Sequence, residues 1–195
     1  MNYTDPSGLL AAPADHTWDD FKGDPDPKSK FDAQTFWERE WTYDNSLDGT
    51  VANKCGVWTA TITDTPKNTK FSAVFNPSKS WVKKGKGDPA LLKHENLRLK
   101  IADYVAQKAL ANLPKMVGKG EATNANKKTA IDEAIKKATD DLAAQFEAYG
   151  KKWAAMDDAA SAAYDMATNH GANAETQSDW ESHLQKFVDG ALKDN

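Results

Sequence analysis

The spacing of apolar residues along the chain changes character near residue 88. Before that point, aromatic and β-branched residues alternate with polar ones and are separated by Asp, Pro and Gly, a pattern typical of short strands. The segments 35–43, 57–63 and 69–75 show this pattern most clearly. We therefore predict a small, mostly antiparallel sheet in the N-terminal part of the chain.

After residue 88 the apolar positions recur with the period of a helix. Asp88-Pro89 is a start signal, an N-cap residue followed by proline at the first helical position, and Pro114 ends the segment. Residues 131–153 mark a second long amphipathic helix, and a last helix is predicted after Asn173. These patterns predict three principal helices.

Between the first two predicted helices, residues 115–128 are rich in Lys, Gly and Asn. This composition indicates an exposed, mobile connection. The predicted fold class is α+β, with a small N-terminal antiparallel sheet followed by the three helices. Because 195 residues suit a single domain, we predict one domain over residues 17–195, preceded by an N-terminal extension, residues 1–16.

Composition narrows the classes of partner. The net charge is −4 and 28% of residues are charged, so no basic field indicates nucleic acid. No apolar run is long enough to cross a membrane, and the N-terminus has neither the basic start nor the apolar stretch of a signal peptide. We expect no transmembrane segment, and either a protein that is not exported or one whose leader has been removed.

The first predicted helix contains a pentapeptide similar to a zinc-binding motif, His94-Glu95-Asn96-Leu97-Arg98. In the zinc-protease pattern H-E-x-x-H, two histidines at i and i+4 bind Zn²⁺ and the glutamate is the general base. Here Arg98 stands at the second histidine position. A simpler interpretation is a polar helix edge on which Glu95 pairs with Arg98 at i,i+3.

Other candidate residues have equally simple interpretations. His170 precedes Gly171 between the last two predicted helices, a sequence typical of a helix C-terminus. The single cysteine, Cys55, is interpreted as structural. A run of lysines surrounds Trp81, and we interpret it as a solvated loop rather than an anion site. These lysines are Lys79, Lys83, Lys84 and Lys86.

The order of several short elements carries more information than any one of them. The chain resembles a bacterial family, long labelled as a domain of unknown function, of predicted secreted zinc-dependent proteases. The similar elements are Thr17-Trp18-Asp19-Asp20-Phe21-Lys22-Gly23-Asp24-Pro25 with Ala33-Gln34-Thr35, then Ser80-Trp81-Val82 ahead of Leu91-Leu92-Lys93-His94-Glu95, and later Tyr164-Asp165, Thr168, His170-Gly171, Gln177 and Trp180. The similarity covers roughly residues 17–185.

This resemblance implies a zincin-like fold and specific roles. His94 would be the first zinc ligand, Glu95 the general base and His170 the third ligand, with Asp165 and Thr168 orienting His170. It also suggests a secreted or periplasmic location.

Arg98 and Lys100 depart from the family pattern, which has a second histidine and often an aspartate at these positions. A guanidinium cannot ligate and opposes a dication. We therefore expect Arg98 to occupy the place of the metal and to contact Glu95. Under this interpretation the chain binds no cofactor.

Two functional hypotheses follow. The first is a catalytically degenerate metallopeptidase-like protein that acts as a binding or structural module, with a protein, a peptide or a cell-envelope component as partner. The alternative is an active zinc peptidase with an altered site of His94, Glu95 and His170, completed by Asp103 or Asp165. Asp103 lies on the opposite side of the helix from His94, which favours the first hypothesis. A structural domain unrelated to proteases is a third option, and the sequence leaves the oligomeric state open.

Overall fold

A computed structural model of the protein describes residues 14–193. Within this range the elements are a 3-10 turn (Trp18–Asp20), β1 (Ala33–Gln34), β2 (Trp37–Lys54), β3 (Val57–Phe75), β4 (Trp81–Val82), α1 (Pro89–Ala111), β5 (Gly118–Asn124), α2 (Lys127–Thr168), α3 (Ala174–Ser182) and α4 (Leu184–Lys193). Strand β1 pairs with β4, and β2, β3 and β5 form a second sheet in that order. The α+β class with antiparallel sheets is confirmed.

The chain divides into two compact units, each assembled from separated segments. In the described residues, unit 1 consists of 14–40, 72–109 and 153–193, and unit 2 consists of 41–71 and 110–152. The single domain over residues 17–195 stays a prediction. Of the predicted extension, residues 1–13 lie outside the described range. His16, at its end, exchanges hydrogen bonds with the Asn96 side chain in unit 1, at 2.8 and 2.9 Å.

Helix α1 forms where the sequence predicts it. The Asp88 carboxylate caps its first turn by accepting the Leu91 N–H at 2.8 Å, and Pro89 occupies the first helical position. The helix ends at Ala111, ahead of Pro114. Within unit 1, its buried face carries Leu97, Ile101, Ala102, Val105 and Ala106.

The hairpin of β2 and β3 is longer than predicted. The expected strands over 57–63 and 69–75 are one continuous strand, and β2 extends to Lys54 rather than ending near residue 43. A two-residue turn at Cys55 and Gly56 joins the strands, with φ values of 52° and 83°, as a tight hairpin turn requires. Residues 44–54 are mostly exposed on both faces, so they lack the alternation that predicts a strand.

The prediction of a mobile connection over residues 115–128 is wrong. Residues 118–124 form β5, which pairs antiparallel with β3 from Gly118 opposite Asp64 to Asn124 opposite Trp58. A Cβ on Gly118 would lie 2.0 Å from the Ala138 carbonyl oxygen. Glycine is therefore present here because helix α2 lies directly on the strand, and its role is close packing rather than loop flexibility.

The C-terminal region contains one helix more than predicted. Helix α3 begins after Asn173, as expected, and the Asn173 side chain accepts the Thr176 N–H at 3.1 Å. The helical path is interrupted at His183, with φ −129° and ψ 28°, and α4 follows. The interruption allows Phe187 to stack on Trp180 at 5.2 Å, so the prediction of a single last helix is wrong.

Candidate functional site

Helix α1 carries the pentapeptide on its inward side, within unit 1. His94 and Glu95 are each only 2% exposed, and the Arg98 side chain is 15% exposed. Burial of a glutamate and an arginine is costly unless each finds a partner. The three side chains therefore belong to an organised polar cluster rather than to a solvated helix edge.

The end of α2 and the turn after it bring the predicted partners to the same place. Asn169, His170 and Gly171 all have positive φ, which ends the helix and reverses the chain. A Cβ on Gly171 would lie 3.0 Å from the His94 Cβ, so only glycine permits this close approach. The last helical turn of α2 places Asp165 beside His94, and the turn after it places His170 there.

His94 is held on both sides of its ring. Its Nε2 lies 3.3 Å from Asp165 Oδ1, and its Nδ1 lies 3.5 Å from the Thr168 hydroxyl. Thr168 donates its own proton to the Tyr164 carbonyl at 2.8 Å, so it faces His94 as an acceptor. The imidazole also stacks on Tyr164, with ring centroids 4.8 Å apart.

His170 lies at the mouth of the same site. Its Nδ1 is 4.0 Å from Asp165 Oδ2, its side chain is 43% exposed, and its ring packs against Phe31 at 4.6 Å. The two histidines thus contact the Asp165 carboxylate, His94 through Oδ1 and His170 through Oδ2. The predicted convergence of His94 and His170, 76 positions apart in sequence, is confirmed. Asp165 contacts His170, as predicted, and also His94. Thr168 was predicted to orient His170, but its side chain contacts His94.

Arg98 links the two carboxylates of the cluster. Its Nη1 lies 3.6 Å from Glu95 Oε2, and its Nε lies 3.5 Å from Asp165 Oδ1. Arg98 Nε and Asp165 Oδ1 have no aligned hydrogen bond within the described residues, so their contact is an ion pair. The predicted contact between Arg98 and Glu95 is confirmed, and the one with Asp165 adds to it.

Charge balance controls the protonation of Asp165. Burial alone would raise the pKa of this carboxyl group, but the polar contact with the His94 imidazole and the positive charge of Arg98 hold the pKa below its ordinary value. The carboxylate is therefore ionised at neutral pH. Glu95 is held differently, because its Oε2 accepts the Thr35 backbone N–H at 2.7 Å.

Trp37 connects Arg98 to a second ionic group, formed by Asp157 and Arg39. The guanidinium lies over the Trp37 ring at 5.5 Å, and the Trp37 indole N–H donates to Asp157 Oδ2 at 2.7 Å. The same oxygen accepts from Arg39 Nε at 2.7 Å. Burial raises the pKa of Asp157, although these two donors oppose the shift. Sequence reasoning missed this group, because its members lie about 120 positions apart and match no short motif.

The donor set does not fit a zinc ion. A catalytic zinc takes three protein ligands that are free to ligate. Glu95 is bound to a backbone N–H and to Arg98, and Asp165 is paired with the guanidinium and both histidines. Among the residues that the structure describes, no three His, Cys, Asp or Glu side chains are grouped as a metal site would require. Asp103 lies elsewhere, accepting a hydrogen bond from Gln107 at 2.9 Å.

The cluster forms one wall of a cleft of about 520 Å³ in unit 1. The cleft is also lined by Phe31, Asp32 and both residues of β1, and by His170, Gly171 and Ala172 from the turn after α2. Sequence reasoning did not single out Phe31 or Asp32, which match no motif. The lysine run lies outside the cleft lining and is largely paired. Lys79 contacts Glu38 at 3.2 Å, and Lys86 contacts Asp32 at 3.5 Å.

Comparisons with family models, with curated proteins and with solved structures find no match to this chain. In the described residues, no helix has the length and apolarity needed to cross a membrane. The contacts within unit 1 are therefore the basis for a functional proposal.

Proposed function

We propose that this protein is a catalytically degenerate relative of zincin-like zinc metallopeptidases that acts as a peptide-binding module. One observation carries the proposal. Arg98, at the position of the second histidine in H-E-x-x-H, ion-pairs with both Glu95 and Asp165, the carboxylates that a peptidase would need free. His94 and His170 converge on the same cleft, which supports descent from a metal site rather than a chance pentapeptide.

The cleft suits an extended peptide. Its volume of about 520 Å³ is in the range of ligand sites, and Ala33 and Gln34 of β1 line it. Strand β1 pairs with β4 on one side, and no other strand of the described residues pairs with it. An unpaired strand edge beside a cleft can bind a peptide backbone by strand addition, while the exposed ring of His170 and the neighbouring Phe31 offer apolar contact.

A selection from a random heptapeptide display library tests the binding role. We expect enriched peptides that bind the wild-type protein and lose affinity for Ala172→Trp, which adds a large side chain to the lining of the cleft. Met166→Trp is the matched control, because Met166 is 83% exposed and does not line the cleft. No enrichment, or equal binding to the wild type and Ala172→Trp, would contradict the proposal.

The alternative, an active zinc peptidase, is favoured by one specific observation. Asp165 lies within 4.0 Å of both His94 and His170, so one carboxylate links the two histidines, although the described residues contain no group of three donors arranged to hold a metal. Arg98 opposes it, since its charge lies against the same carboxylate. Peptidase assays on the wild type and on Glu95→Gln separate the two. We expect equal, background rates, and a wild-type rate well above that of Glu95→Gln would establish the enzyme.

A further inference from the structure

Unit 2 leaves one edge of its sheet unpaired. Strand β2 is at the end of the order β2-β3-β5, and no strand within residues 14–193 pairs with its outer edge. All residues of 47–54 are exposed. An exposed strand edge presents free N–H and C=O groups that can pair with another strand. Natural edges are commonly protected by proline or by several lysines, whereas β2 contains no proline and a single lysine, Lys54.

The contacts of β2 show which of its backbone groups point outward. Asp48 O accepts from the Thr63 hydroxyl of β3 at 3.4 Å, which sets the pairing between the strands. The Gly49 N–H donates to the side chain of Asp48 at 2.7 Å, so it lies on the outer edge. Since strand positions alternate, Leu47, Val51 and Asn53 present their N–H and C=O groups on that edge too.

The same stretch carries two exposed apolar side chains. Leu47 is 46% exposed and Val51 is 37% exposed. They share a sheet face with Gly49, where a Cβ would lie 2.7 Å from the Ile62 side chain. Ile62 belongs to the apolar core of unit 2, so Leu47 and Val51 extend an apolar face up to the open edge.

We propose that this edge pairs with the same edge of a second copy of the chain, antiparallel about a two-fold axis at Val51. In this register Val51 faces Val51 of the second copy, and Gly49 faces Asn53. Asp48 then faces Lys54 of the second copy, and the symmetry makes this opposite-charge contact twice. The two sheets become one continuous sheet in which residues 48–54 of β2 are paired in both copies.

Charge complementarity selects this register over its neighbours. A shift by two residues in one direction places Asp48 opposite Ala52, and a shift in the other direction places it opposite Gly56. A shift by one residue moves Leu47 and Val51 to the other face of the combined sheet. The register centred on Val51 therefore matches backbone groups, apolar side chains and charges together, which favours a second copy over an unrelated partner.

Sedimentation equilibrium of the full chain over a range of concentrations tests the proposal. We expect a reversible monomer–dimer equilibrium. Asp48→Lys and Lys54→Asp should each weaken the dimer about tenfold, because two opposite-charge pairs become like-charge pairs. The double variant Asp48→Lys/Lys54→Asp should restore wild-type affinity, which a general effect of charge would not do.

Two further variants keep the test decisive. Val51→Pro removes the N–H at the axis and should abolish the dimer while circular dichroism shows a folded chain, since proline is tolerated on strand edges. Lys136→Asp, a reversal on a residue 77% exposed on α2, is the matched control and should leave the dimer unchanged. A monomer at every concentration up to about 1 mM, or no rescue in the double variant, would overturn the proposal.

Discussion

Each unit of this protein contains a buried contact of a different kind. Unit 1 buries an ionic cluster, in which Arg98 neutralises Glu95 and Asp165. In unit 2, small residues form the contact between α2 and the sheet, where Ala60, Ala122, Ala130, Ala134 and Ala138 pack beside Gly118 and Gly120. Large side chains such as Phe71, Leu142 and Phe146 are also buried in this unit. The ionic cluster of unit 1 depends on charge balance, whereas the close contact of α2 with β5 in unit 2 depends on small side chains. Substitutions should therefore affect the two units through different physical terms.

The largest effect is expected in unit 2, at Gly120. A Cβ there would lie 1.9 Å from the Ala134 carbonyl oxygen, a backbone atom that cannot move aside. Gly120→Ala should lower the free energy of unfolding by at least about 3 kcal/mol, because helix and strand must separate. Urea unfolding measures this loss. Gly190→Ala is the matched control, because nothing lies near its Cβ position in α4, and it should stabilise by about 0.5–1 kcal/mol. Equal stability of Gly120→Ala and the wild type would show that the two elements are not in close contact.

A smaller loss is expected in unit 1 when the charge balance is broken. Arg98→Met keeps the aliphatic length but leaves two buried carboxylates without their counter-ion. We expect a loss of about 2–3 kcal/mol at neutral pH, below the full cost of a buried unpaired charge because the Arg98 and Asp165 side chains are 15% and 18% exposed. Urea unfolding again measures it. If Arg98→Met is as stable as the wild type, the ion pairs do not hold this unit together.

The stability that the ionic cluster of unit 1 contributes should also depend on pH, through Asp165. The pKa of Asp165 is lowered in the folded protein, so near its ordinary value of 3.8 the unfolded chain binds more protons. The contribution of Asp165 is therefore present above that pH and is lost as pH falls through the folded value. Asp165→Asn should lose this part of the slope. Unfolding midpoints of both proteins between about pH 3 and 6 provide the comparison, and parallel curves would contradict the assigned direction.

The smallest effect is expected at Asp103, on the far side of α1. Burial raises the pKa of this carboxyl group, and Gln107 provides its hydrogen bond. Its charged form therefore destabilises the folded protein at neutral pH, and this cost disappears as pH falls through the folded pKa. Asp103→Asn retains an acceptor for Gln107 and should stabilise the protein by less than about 1 kcal/mol at pH 7. A destabilised variant would indicate a partner for the negative charge.

Sequence patterns predicted the parts of this structure that depend on local signals. The start of α1 at Pro89, the start of α3 after Asn173 and the α+β class follow from caps and periodicity. The convergence of His94 and His170 was implied by a resemblance, because no local pattern relates residues 76 positions apart. It rests on the left-handed turn that ends α2.

The features that sequence patterns missed depend on tertiary contact. Strand β5 contains Gly118 and Gly120, which resemble loop residues until the helix above them is known. The polar end of β2 has no alternation, since it is exposed on both faces. Thr35 lies in one of the elements that carry the resemblance, but its contact with Glu95 is made by its backbone N–H, which no side-chain motif can reveal.

The proposed function requires that Arg98 stands in place of a lost zinc ligand, beside the cleft on which His94 and His170 converge. Thermal unfolding of the wild type, Arg98→His and Arg98→Met, each with and without added zinc, tests it most directly, because a ligand that binds only the folded state raises the melting temperature. We expect no zinc-dependent shift for the wild type or Arg98→Met and a clear upward shift for Arg98→His, which recreates the i,i+4 histidine pair. A shift in the wild type, or none in a folded Arg98→His protein, would contradict the claim.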